Sequence, residues 1–189
     1  EGIDRLRRLQ AQHPERVSTR LKLAEVLSWS ADTRDEAEAL YRAILRSDTT
    51  SVEAALGLAR VLSWTGRMTE SRETYRQALQ RDPAGSAALV GLAQLDGWSG
   101  QARASLQRLA RGSDTALETP DAYQVRAEAY SQIGRPASAG REYRGLLGVR
   151  PTDENARRAL RQVERTLRPT LEFGGDTSGQ SGDATRNKV

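Results

Sequence analysis

Apolar residues return at three- and four-residue intervals along most of the chain, as in Leu58 and Leu62 and then Tyr75, Ala78 and Leu79. That is the period of a helix with one face buried. A second, longer period lies over the first. The runs LAEVLSW (Leu23 to Trp29), LARVLSW (Leu58 to Trp64) and LAQLDGW (Leu92 to Trp98) place their tryptophans 35 and 34 residues apart. A fourth copy, RAEAYSQ (Arg126 to Gln132), follows at the same interval with Gln132 where Trp would stand. Behind each run comes another: EALYRAIL (Glu38 to Leu45), RETYRQAL and REYRGLL, with Tyr41, Tyr75 and Tyr143 at one equivalent position. Each unit therefore reads as two helices.

The joints agree with that division. Gly66, Gly100 and Gly134 stand between the two helices of their units, where a residue free to take positive φ ends the first helix. Pro14, Pro83 and Pro151 follow the second helices, since proline cannot continue a helix interior. The first full unit has Ser30-Ala31-Asp32-Thr33-Arg34 in place of the glycine turn, one residue longer, which accounts for the 35-residue interval. Small residues recur at Ala24, Ala59, Ala93 and Ala127 on first helices and at Ala37, Ser71, Ser105 and Ala139 on second helices, so that paired helices can approach closely. The third unit departs most: Leu109 replaces the tyrosine, Gly112 replaces a helix-closing alanine, and a short second helix is expected.

These markers resemble the tetratricopeptide repeat family, whose period is about 34 residues. The resemblance covers about four-fifths of the chain and implies an all-α fold, a right-handed α-α superhelix. Residues 1–16, with Ile3, Leu6, Leu9 and Pro14, read as the second helix of a unit whose first helix lies outside the chain. Residues 17–153 read as four helical hairpins, and 154–168 as a capping helix with Ala156, Leu160, Val163 and Leu167 on its apolar face. Residues 169–189 read as a Gly/Ser-rich disordered or extended tail, or the start of a following domain. The LSW-type first helices followed by RPTLEFGGDTSGQSGD also resemble the periplasmic part of bacterial outer-membrane proteins that export exopolysaccharide. That resemblance implies a periplasmic location and attachment to an outer-membrane barrel.

Charge changes the picture little. The formal net charge is +4, and of 29 basic residues all but Lys22 and Lys188 are arginines. They alternate with Glu and Asp along the helices instead of massing, and no nucleic-acid-binding motif is present, so no nucleic-acid partner is expected. No segment is long and apolar enough to span a membrane. With no Cys and one histidine, His13 beside Pro14, neither a zinc–thiolate site, a histidine pair nor a Ser/His relay can be built. No metal, no cofactor and no enzymatic activity are expected.

What remains is a binding surface. By the resemblance, first helices line a concave groove, and the register assigns to it Ser18, Leu21, Glu25, Ser28 and Trp29, then Glu53, Leu56, Arg60, Ser63 and Trp64. The third and fourth units contribute Ala87, Val90, Gln94, Gly97 and Trp98, then Asp121, Gln124, Glu128, Ser131 and Gln132. Two readings of the tryptophans stand: each indole packs against the next unit as core, or the three stay exposed and stack on a polysaccharide, with Glu25, Arg60, Gln94 and Glu128 hydrogen-bonding between them. A protein partner gripped as an extended peptide or helix, with Leu21, Leu56 and Val90 as anchors, is the other ligand class.

Overall fold

The computed structural model describes residues 2–112 and 117–167. The tail expected at 169–189 lies outside the described residues. Among the described residues ten α-helices follow one another: α1 (Gly2–Gln12), α2 (Val17–Ser28), α3 (Arg34–Ser47), α4 (Val52–Trp64), α5 (Met68–Arg81), α6 (Ser86–Trp98), α7 (Ala102–Leu109), α8 (Pro120–Gln132), α9 (Pro136–Val149) and α10 (Glu154–Leu167). Each packs on the next, and in addition α2 packs on α4, α4 on α6 and α6 on α8. Even-numbered helices therefore form one layer and odd-numbered helices the other. Among the described residues the core is divided into four successive clusters of buried side chains, as in a stack whose units touch only their neighbours. The fold is an all-α solenoid of tetratricopeptide type.

Local chemistry sets the boundaries. Gly66, Gly100 and Gly134 have φ of 80°, 74° and 70°, and past each the chain closes the same bond: Arg67 N–H to Leu62 C=O at 2.9 Å, Gln101 to Asp96 at 2.8 Å and Arg135 to Tyr130 at 2.9 Å. This six-to-one bond satisfies a carbonyl that the helix end leaves over, and it needs a left-handed residue before it. The first unit instead makes a 3-10 turn over Ala31–Thr33, with the Thr33 hydroxyl donating to Leu27 C=O at 2.5 Å. At the opposite turns Ser51 and Thr119 cap their helices by accepting from Ala54 and Ala122 N–H, both at 3.3 Å. Asp153 does the same for Ala156 at 2.9 Å.

The small-residue positions sit where helices cross. Ala24, Ala37, Ala59, Ser71, Ala93, Ser105, Ala127 and Ala139 all expose 0% of their surface. Between units a second device operates. A Cβ on Gly57 would lie 2.2 Å from the Tyr41 ring, and one on Gly91 would lie 2.3 Å from the Tyr75 ring. Tyr41 and Tyr75 thus each rest against a bare glycine of the following first helix. In the third unit both partners change together: Leu109 faces Val125 in one cluster. A smaller side chain has met a larger one. That unit's second helix, α7, has 8 residues against 14 for α3, α5 and α9.

Among the described residues two carboxylates are buried, Glu38, which is 7% exposed and meets Arg42 and Arg67, and Asp96. Asp96 occupies the place of Leu27 and Leu62 in the repeat and is 2% exposed. Its carboxylate accepts from Arg72 of α5 at 2.5 Å and from Arg108 of α7 at 2.8 Å. A buried carboxylate is tolerated because both oxygens are met by guanidinium groups, and here they tie α6 to the second helices on both sides.

Candidate ligand-binding groove

The inner faces of the first helices enclose two hollows. One, of about 390 Å³, is lined by Ser18, Leu21, Lys22 and Glu25 of α2, Tyr41 of α3, and Glu53, Leu56, Gly57 and Arg60 of α4. The other, of about 430 Å³, runs on from Leu56, Arg60 and Trp64 to Val90, Gly91 and Gln94 of α6, to Thr119, Asp121 and Gln124, and to Arg150 after α9. Leu56 and Arg60 belong to both, so the two are parts of one groove crossing α2, α4, α6 and α8. A further hollow lies between α8, α9 and α10, against Ser131, Tyr143, Gln162 and Val163.

Its floor is mixed. Leu21, Leu56 and Val90 recur at one repeat position, while Glu25, Arg60 and Gln94 recur one turn further along their helices; Glu128, the fourth of that series, lines neither hollow. The Lys22 ammonium pairs with Glu25 at 2.7 Å, Arg150 pairs with Asp121 at 3.6 Å, and the Gln124 amide donates to Glu128 at 2.9 Å. Tyr41 and Tyr75 enter the floor from the second helices, through the gaps that Gly57 and Gly91 leave. Burial pushes the Tyr41 phenol up to about 12, the nearby charge of Arg60 opposing and that of Glu25 adding to the shift. Burial also raises Tyr75, opposed by the charge of Arg60 and a hydrogen bond from it. Both phenols therefore stay neutral around pH 7 and offer dipoles, not charges.

The register carried over from the sequence places its residues unevenly. Leu21, Glu25, Leu56, Arg60, Trp64, Val90, Gln94 and Gln124 line the groove. Ser28 and Ser63 do not present their hydroxyls to it: they are 2% and 5% exposed and donate back to the carbonyls of Glu25 and Arg60 at 2.6 and 2.7 Å. A serine in the last turn of a helix finds that carbonyl more readily than it finds a ligand. Trp29 and Trp98 stand at the C-terminal ends of their helices, outside both hollows; only Trp64 of the three contributes to one. All three indoles are exposed, at 62%, 37% and 45%, so the reading that buries them as core does not hold. Trp64 is the least exposed, and the Arg34 guanidinium lies over its ring at 5.3 Å.

Residues that the register did not supply complete the groove: Lys22, Tyr41, Gly57, Tyr75, Ser86, Gly91, Thr119 and Arg150. The tyrosines were visible as a repeat, and the glycines facing them one unit on, at positions 57 and 91, are 34 residues apart. That pairing of a large with a missing side chain is the signal that could have found them. Among the described residues no group of three or more His, Cys, Asp or Glu is placed to hold a metal, and no helix is long and apolar enough to cross a membrane.

The architecture has relatives. Residues 52–84 match the tetratricopeptide repeat family; that segment is α4, α5 and the turn after them. The chain is similar in fold to a thermophilic tetratricopeptide repeat protein of Thermus thermophilus, TTC0263, at 15% identity and a TM-score of 0.71, over 86% of this chain and 89% of that one. A tetratricopeptide repeat protein of Parabacteroides merdae is similar at 14% identity and a TM-score of 0.63, over 87% of this chain and 65% of that one. YrrB, described as a tetratricopeptide repeat protein with an unusual peptide-binding site, is similar at 16% identity and a TM-score of 0.56, over 86% and 83%. No curated protein sequence matches the chain.

Proposed function

We propose that the chain is a non-catalytic binding module whose groove holds an extended segment of a partner protein. The observation that carries this is the continuity of the groove: the two hollows share Leu56 and Arg60, so a segment of several residues can lie across four first helices without a break. Apolar anchors at Leu21, Leu56 and Val90 supply area, and polar groups between them supply register, as in other grooves that grip peptides. The peptide-binding site ascribed to YrrB, a neighbour in fold, supports this use of the architecture. The test is Leu56→Arg, which puts a cation where both hollows meet. Segments isolated by display against the native protein are expected to lose binding to this variant while its circular dichroism melt stays within a few degrees. Binding that survives the substitution would place the partner elsewhere.

The exposed indoles favour a second reading, in which the edge bearing Trp29, Trp64 and Trp98 guides an exopolysaccharide in the cell envelope. Sugars stack their apolar faces on aromatic rings, and rings repeating with the solenoid suit a polymer. Titration with oligosaccharides, followed by tryptophan emission in the native protein and in Trp64→Ala, decides it: unchanged emission at high sugar concentration eliminates this reading.

A further inference from the structure

The hollow between α8, α9 and α10 has a counterpart at the first junction of the stack. Arg34, Tyr41, Gly57, Val61 and Trp64 of α3 and α4 correspond, 102 residues further on, to Pro136, Tyr143, Ala159, Val163 and Thr166 of α9 and α10. All five of the later residues line this hollow of about 500 Å³. At the first junction the Trp64 indole sits across the start of α3, with the Arg34 guanidinium over its ring at 5.3 Å. At the last junction Thr166 stands in place of the indole and Pro136 in place of the arginine, and space for a large ring is left open beside Tyr143. The hydroxyls around that space are already engaged: Ser131 donates to Ala127 C=O at 2.8 Å and Thr166 to Val163 C=O at 2.7 Å. What the hollow offers is therefore mainly apolar surface of a size for one aromatic side chain.

We infer that this hollow is the seat of the Phe173 ring, which takes the place that the indole holds at the first junction. Phe173 is the one phenylalanine of the chain, and it follows Leu167, the last residue of α10, by six positions. Six residues span up to about 20 Å when extended, which suffices for a return to a hollow whose rim includes Thr166 in the last turn of α10. So short a tether holds the ring at a far higher local concentration than an aromatic side chain arriving from another molecule. Seated there, the segment 168–173 closes the C-terminal end of the stack, whatever the groove across α2, α4, α6 and α8 binds.

The experiment labels the whole chain with 4-fluorophenylalanine, which marks a single site. Fluorine NMR is expected to show NOEs from the ring to the methyl groups of Val163 and Thr166. Relaxation enhancement by a dissolved gadolinium chelate should be several-fold smaller than in a free peptide of residues 168–178. Thr166→Trp restores the indole of the first junction, so it should abolish the contacts with Val163 and raise the enhancement to the peptide's value. Phe173→Ala should lower the melting midpoint of the full chain by a few degrees. Peptide-like relaxation without NOEs in the native chain overturns the inference and leaves the hollow to an aromatic side chain of another molecule. NOEs that fade on dilution assign the ring to a second copy and overturn it as well. Contacts that persist in Thr166→Trp put the ring outside the space of the indole, which equally overturns the assignment.

Discussion

Gly57→Ala separates local helix preference from the packing of the stack. Gly57 lies inside α4, where alanine is favoured over glycine by about 1 kcal/mol. Preference alone therefore makes the substitution stabilising. The added Cβ, however, would lie 2.2 to 2.6 Å from two ring carbons and the hydroxyl oxygen of Tyr41, a residue only 4% exposed. To relieve the contact the ring must leave the surface of α4. If it loses about half of the roughly 200 Å² that a buried aromatic side chain removes from water, at about 25 cal/mol per Å², the loss is about 2.5 kcal/mol. The net expectation is a destabilisation of about 1.5 kcal/mol, read as a lower urea midpoint by circular dichroism with an unchanged slope. The double variant Tyr41→Leu with Gly57→Val copies the natural Leu109–Val125 pair and should be more stable than the sum of its single variants requires. A stabilised Gly57→Ala, or strict additivity in the double variant, refutes the ring-on-glycine account.

Asp96→Asn should cost about 3 kcal/mol, because two guanidinium groups lose the charge that both face, and Asp96→Leu should not restore stability although leucine is the residue of the first two units; urea melts measure both. Thr119→Ala should lower stability by about 1 kcal/mol through loss of the cap at the start of α8, read in the same way. Since the Tyr41 phenol is raised to about 12, the native state favours its neutral form. Its contribution is fully present below the ordinary tyrosine value near 10 and is lost as pH rises from about 10 toward 12. The native protein should therefore lose stability in that window, and Tyr41→Phe should lose less, as followed by tyrosinate absorbance during unfolding.

The solenoid was legible because its signals are local and repeated. Each Gly66-type turn, each small residue at a crossing and the 34-residue interval depend on a few neighbouring side chains, and they recur in register. The shortness of α7 could be read for the same reason, from Leu109 and Gly112. The groove was legible only where residue position alone decides exposure, as at Leu21, Leu56, Arg60 and Val90. It failed where a side chain had a choice of partner: Ser28 and Ser63 turned back to their own helix carbonyls, which no repeat register encodes. Asp96 was passed over because its meaning lies in Arg72 and Arg108, 24 and 12 residues away on helices that only the stacking brings together. Arg150 likewise reaches the groove from beyond α9, outside the first helices that the register ascribes to it.

The account stands most directly on where a captured segment lies. Hydrogen exchange of the backbone amides, compared with and without a Leu56-dependent peptide, should show added protection concentrated in α4 and α6, with lesser protection in α2 and α8 and none on the outer faces of α5 and α9. Protection confined to the outer helices or to the Trp29–Trp98 edge would contradict the groove.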